Sequence, residues 1–224
     1  MREINTLTLK GTLTDLELTQ VGEEFPLLRA TLAGDAPDEK GKHPFYLPVQ
    51  LRGAYAAAMH NLLAGGAHVH ALGHLESHTW SKDGQPRTST TIVLDTVKLL
   101  SGEHPTTAPD SRGLERLANG QNHAQLSGNL TRDPVTHAYR GQEHTRFTLA
   151  VKAGYGERER THFVEITTQD PTAKRLAKGD SVLATGAAER ASWQDKDGNK
   201  VRITRIDAAT ITPLARPGRP RQAA

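Results

Sequence analysis

The residue types best suited to bond-making chemistry are sparse in this chain, and one cluster of them stands out. His68, His70, His74 and His78 fall in a single segment, and strict alternation would turn all four to the same side of an extended strand. Such a cluster can ligate zinc. Here Gly73 interrupts the alternation, no carboxylate motif accompanies the histidines, and the chain has no cysteine. The lack of cysteine also excludes disulfide scaffolds, thiol catalysis and iron–sulfur clusters. No Gly-rich phosphate loop and no Ser-His-Asp arrangement can be assembled. The sequence therefore predicts no catalytic residue, no metal and no cofactor, and a hydrolase using the histidines with a metal is the enzymatic alternative. Trp193 and Trp80 point to non-covalent chemistry instead. Each is followed by a polar, turn-rich stretch, and a large indole at a strand edge beside solvated residues is poor core filler.

Positioning these side chains falls to a duplicated unit. Leu9 to Thr14 (LKGTLT) reads like Leu126 to Thr131 (LSGNLT), and Thr31-Leu32-Ala33 stands at the same offset of 117 from Thr148-Leu149-Ala150. Phe45 is matched to Phe163. Gly73 through Glu76 and Trp80 match Gly186 through Glu189 and Trp193 at an offset of 113, and Asp83-Gly84 matches Asp197-Gly198 at 114. The shared order with small drifts in offset is the signature of a repeat. Each unit reads as three strands, a short helix and two strands. Helix candidates lie at Ala54 to Leu63, stopped by Gly65-Gly66, and at Pro171 to Ala177, stopped by Gly179. That order is the order of an OB barrel. The predicted fold is all-β, with two tandem OB-fold five-stranded barrels, each with one short helix between strands 3 and 4. The expected layout is 1–100 for the first barrel, 101–122 for a linker with a helical turn at Leu114 to Leu117, 123–214 for the second barrel, and 215–224 for a disordered basic tail.

Composition agrees with small β-rich units. Hydrophobic residues are 36% of the 224, aromatics only 4%, and mean hydropathy is −0.56. There is no apolar run near ~18 residues and no export signal at the start, so a soluble cytoplasmic protein is expected. The net charge of +3 hides an asymmetry. Residues 1–120 carry 11 basic and 14 acidic side chains, and the remainder 17 and 11.

The second unit resembles the bacterial single-stranded DNA-binding (SSB) proteins. The resemblance rests on Leu126-Ser127-Gly128-Asn129-Leu130-Thr131-Arg132-Asp133-Pro134, Arg146 to Val151, Thr161-His162-Phe163, Leu176 to Asp180 and Trp193 to Gly198. It implies sequence-tolerant binding of single-stranded DNA in replication, recombination or repair, without enzymatic activity. By position it implies stacking of bases on Trp193, Phe163 and Tyr155, with Trp80 and Phe45 as first-unit counterparts. Gln169 and Leu51 stand where many relatives have a further aromatic. Phosphates would meet Lys152, Arg158, Arg160, Arg190, Lys200 and Arg202, and Lys82 and Arg87 in the first unit.

Two barrels per chain resemble the SSB architecture in which a homodimer presents four, so a homodimer in the nucleoid is expected, with no membrane partner. The family's acidic, Phe-terminated tail is replaced here by Arg216 to Ala224 (RPGRPRQAA), so recruitment of repair or replication enzymes through it is not expected. The nearest alternative is an OB-fold accessory or strand-annealing factor.

Overall fold

Leu, Thr and Val alternate along most of the chain, and such residues favour half-buried strands. The computed structural model describes residues 3–21, 25–38, 41–63, 66–82, 85–100, 105–139, 141–154, 159–194, 198 and 200–214, and the fold is all-β. The first half contains β1 (Asn5–Val21), β2 (Phe25–Asp38), β3 (Gly41–Arg52), helix α1 (Gly53–His60), β4 (Ala67–Lys82) and β5 (Gln85–Leu99). β6 (Thr107–Pro109) and β7 (Glu115–Leu117) follow. The second half contains β8 (Gln121–Leu130), β9 (Val135–Tyr139), β10 (Gln142–Ala153), β11 (Arg160–Thr168), β12 (Ser181–Gln194) and β13 (Lys200–Pro213).

Backbone pairing closes a five-stranded ring in each half. In the first, β1 pairs with β2, β2 with β3, β3 with β5, β5 with β4, and β4 again with β1. In the second, β8, β10, β11, β13 and β12 repeat that circuit. The closing parallel contacts, Val49 with Ile92 and Ile166 with Ile206, stand at the repeat offsets of 117 and 114. The interior is filled mainly by fully buried leucines, including Leu7, Leu9, Leu28, Leu32 and Leu126, and one apolar cluster runs through both halves.

Two glycine pairs show what the duplication preserves. A Cβ on Gly73 would lie 2.3 Å from Val93 O, and one on Gly186 would lie 2.1 Å from Asp207 O. Both sit at the register shift in their hairpin, where the strand bends to stay in the ring. Gly11 and Gly128 are likewise pressed against the Ala33 and Ala150 carbonyls, at 2.8 and 2.2 Å.

The halves join through a shared sheet. β1 and β8 pair antiparallel from Asn5 opposite Leu126 to Leu9 opposite Asn122 and Lys10 opposite Gln121. Asn5 corresponds to Asn122 and Leu9 to Leu126, so the junction is symmetric under the repeat. The same asparagines clamp the strand beyond each bend. Asn5 Nδ2 donates to Leu75 O at 2.8 Å, and Leu75 N–H returns a bond to Asn5 Oδ1 at 3.0 Å. Asn122 exchanges the equivalent pair with Ala188, at 2.8 and 2.9 Å.

Several sequence expectations are corrected. The second helical segment is only a 3-10 turn, Pro171–Arg175, started by Asp170, which accepts from Thr172 N–H at 2.8 Å, and ended by Leu176, which is already extended. α1 ends at His60 rather than Leu63. Leu114 to Leu117 form no helical turn. Instead β7 pairs antiparallel with β6 and meets β2 in parallel, Gly34 opposite Leu117. The segment between the halves therefore lies on the first ring. The expected tail, 215–224, lies outside the described residues.

Candidate functional site

Of the large aromatic side chains exposed on strands, Phe25 lies at the very start of β2 at 48%, and the other three are ones the sequence singled out. Trp80 is 41% exposed, Trp193 43% and Phe163 46%. The two indoles occupy the same place in equivalent hairpins, Trp80 opposite Arg87 and Trp193 opposite Val201. His78 lies parallel to Trp80, with ring centroids 6.0 Å apart and planes 13° apart. Phe163 lies opposite Ala150.

The structure ties the Phe163 backbone to the strand that carries Trp80. Phe163 N–H donates to Ser77 Oγ at 2.8 Å, and Ser77 N–H donates to Nδ1 of the buried His162 at 2.9 Å. Ser77 precedes Trp80 by three residues on β4, so the third strand of the second ring is fastened beside the indole of the first.

Phe45 requires a correction. It is 7% exposed, packed in the core with its ring 2.7 Å from a Cβ placed on Gly34, and it has no face to offer. The register explains why. Tyr46 lies opposite Ala33 as Phe163 lies opposite Ala150, so the counterpart of Phe163 is Tyr46, and Phe45 corresponds to the inward His162. Tyr46 is half-buried under the segment between the rings. Its hydroxyl donates to Asp110 Oδ2 at 2.9 Å and accepts from Arg116 Nη1 at 2.9 Å. The guanidinium carbons of Arg112 and Arg116 lie 5.4 and 5.9 Å from its ring centroid. Asp110 is held well below the usual carboxylate range by the backbone N–H groups of Leu114 and Arg112, the Tyr46 hydroxyl and the Arg112 guanidinium. None of this network was legible in the sequence except Tyr46, which the offset of 117 would have selected over Phe45.

The expected cations are spread over several surfaces. Lys200 and Arg202 are exposed on β13, and Arg190 is exposed on β12. Lys152 is tied to Glu159 at 2.6 Å, and Arg160 Nη1 donates to Glu159 O at 3.0 Å. Lys82 and Arg87 lie in β4 and β5, but their side chains, like Tyr155 and Arg158 entirely, lie outside the described residues. Leu51 is fully buried and Gln169 donates to Gln142 Oε1 at 2.9 Å.

A cleft of about 1070 Å³ separates the rings, with Glu3, His74, Glu76 and Asp95 on one side and Lys152 and His162 on the other. Burial opposes charging of His74, but hydrogen bonds to Asp95 at 2.9 Å and Glu76 at 3.1 Å hold it up to about 9. The His74 hydrogen bond and Arg52, 2.6 Å away, draw Glu76 down to about 2. His74 is thus an ion-pair member. His68 is engaged by Thr12 Oγ1 at 3.0 Å, and no metal-holding group of three or more ligands occurs among the described residues.

Comparison with known proteins gives consistent matches. The model of the Single-strand binding protein family matches residues 121–214. The single-stranded DNA-binding protein of Thermus aquaticus is 35% identical, over 94% of this chain and 84% of its own length. That of Deinococcus radiodurans is 31% identical, over 96% of this chain and 77% of its own. The crystal structure of the wild-type Thermus aquaticus protein superposes with a TM-score of 0.74 at 29% identity, covering 100% of this chain and 98% of the other.

Proposed function

From the chain's membership of the single-strand binding protein family, we infer that it binds single-stranded DNA without reading sequence and carries out no catalysis. The observation that carries the inference is the trio of exposed aromatic rings, Trp80, Trp193 and Phe163, standing on strand surfaces where a core would have hidden them. Such rings serve as base platforms, each worth roughly 1–3 kcal/mol per base. Arg190, Arg160, Lys200 and Arg202 supply phosphate partners, and Lys152 joins them by exchanging Glu159 for a phosphate. Arg158, Tyr155, Lys82 and Arg87 are proposed as further DNA contacts on the family resemblance alone.

The two closed rings support reading residues 1–100 and 123–214 as tandem OB folds, with 101–122 between them. Likeness to two-barrel relatives supports a homodimer presenting four barrels, which light scattering would establish as twice the chain mass. None of the helices among the described residues is long and apolar enough to cross a membrane, which agrees with a role on cytoplasmic DNA in replication, recombination or repair. Titration with oligo(dT) while following tryptophan emission tests the reading. Strong quenching that weakens with salt is expected, and no complex at low salt would overturn it.

A further inference from the structure

The repeat makes Ser77 and Arg190 counterparts, as it does Tyr46 and Phe163. The junction that brings Ser77 of β4 to Phe163 therefore has a mate that brings Arg190 of β12 to Tyr46. Those two residues do line one cleft of about 430 Å³, together with Thr31 and Asp15 of the first ring and Arg112 and Leu114 of the connecting segment. The volume lies within the ~300–1,000 Å³ of small-molecule sites.

Resting on the single-strand-binding reading, we propose that this cleft is a nucleotide subsite joining the two barrels, with a base on the guanidinium plane of Arg112 and a phosphate at Arg190. Tyr46 holds the register position of an open platform, but its ring is covered by Arg112. Arg112 is itself 71% exposed, so the stacking surface has been moved outward by one layer rather than lost. A guanidinium is planar and carries a base as an aromatic ring does, which an ammonium cannot. It is also fixed in advance. Arg112 Nε and Nη2 donate to Asp110 Oδ2 at 3.1 and 3.0 Å, its backbone N–H donates to Asp110 Oδ1 at 2.8 Å, and Tyr46 anchors the same carboxylate from below.

Arg190 completes the site from the other barrel. The neighbouring carboxylate, Glu189, is taken by Arg205 at 3.0 Å, and no carboxylate among the described residues pairs with Arg190. Asp15, at φ 54°, also lines the cleft. Both barrels line the cleft, so a DNA strand bound in it runs from one barrel to the other.

The test compares Arg112→Lys, Arg190→Ala and Phe163→Ala for oligo(dT) of about 8 nucleotides, enough for one barrel, and about 30, enough for both. Arg112→Lys keeps the charge and loses the plane. It weakens the long oligomer by about fivefold or more, the lower end of one base stack, with the salt slope unchanged. Arg190→Ala lowers the long-oligomer salt slope by about 0.7, one phosphate contact. The short oligomer, held by Phe163, is unaffected by Arg112→Lys. Wild-type affinity and slope in both cleft variants, with Phe163→Ala weakened, would remove the cleft from the DNA path and leave the single-strand reading standing. No complex with any oligomer, wild type included, would overturn that reading itself. Thermal melts confirm that each variant is folded.

Discussion

Tyr46 and Phe163 hold the same place in two copies of one hairpin, the first opposite Ala33 and the second opposite Ala150. They end in opposite circumstances, Tyr46 beneath Arg112 and Phe163 open to solvent. A duplicated fold has therefore produced two unequal surfaces, and the consequences are measurable.

Phe163→Ala removes an exposed ring and no core. Oligo(dT) binding should weaken by roughly 1–3 kcal/mol with little change in melting temperature. Phe45→Ala empties the core instead, at about 3–5 kcal/mol of folding stability. Fluorescence titration and thermal denaturation of both variants check the contrast, and the opposite pattern would reinstate Phe45 as the platform.

The asparagine clamps should behave alike. Asn5→Ala strips partners from the Leu75 backbone, and Asn122→Ala does so at Ala188. Leaving such groups unsatisfied costs about 1–3 kcal/mol. Denaturant unfolding should show similar losses for the two variants, and a loss at only one position would break the structural equivalence.

Gly186→Ala places a methyl group against the Asp207 carbonyl, with backbone on the receiving side. The hairpin must shift, and a destabilisation of at least about 1–3 kcal/mol follows. Gly73→Ala should match it. A melting curve unchanged in either variant would contradict the close approach.

His74 sets a pH window. It binds its proton more tightly in the folded chain, up to about 9 against an ordinary 6.5. Its ion pairs therefore contribute fully below about pH 6.5, and the contribution is lost as pH rises through 9. Glu76, drawn down to about 2 from 4.5, acts at the other end, its contribution complete above 4.5 and lost as pH falls through 2. The stability difference between wild type and His74→Gln, followed by denaturant unfolding, should be largest near pH 6 and close by pH 10. A gap independent of pH would place the effect in packing.

The two closed strand rings and the exposure of both indoles were legible because strand alternation, hairpin signals and a collinear repeat are local or periodic features. Phe45 misled because Phe163 attracted its nearest chemical likeness, whereas the register obeys backbone pairing, and a shift of one residue turns a side chain from surface to core. Arg112, Arg116 and Asp110 were invisible for a different reason. They lie in Pro/Gly-rich sequence with no period, and their meaning comes only from docking on Tyr46. For the histidines of β4, alternation shows which side they share and not that Asp95 and Glu76 claim His74.

The sheet shared by β1 and β8 bears on how such a chain can change over generations. Once the first strands of two barrels are laced residue by residue from Asn5–Leu126 to Lys10–Gln121, neither barrel can be shed without baring a naked strand edge that invites aggregation. The duplication thereby acts as a ratchet. One copy is free to drift in surface chemistry, as Tyr46 and its arginine cover have done, while remaining indispensable as the other's structural neighbour.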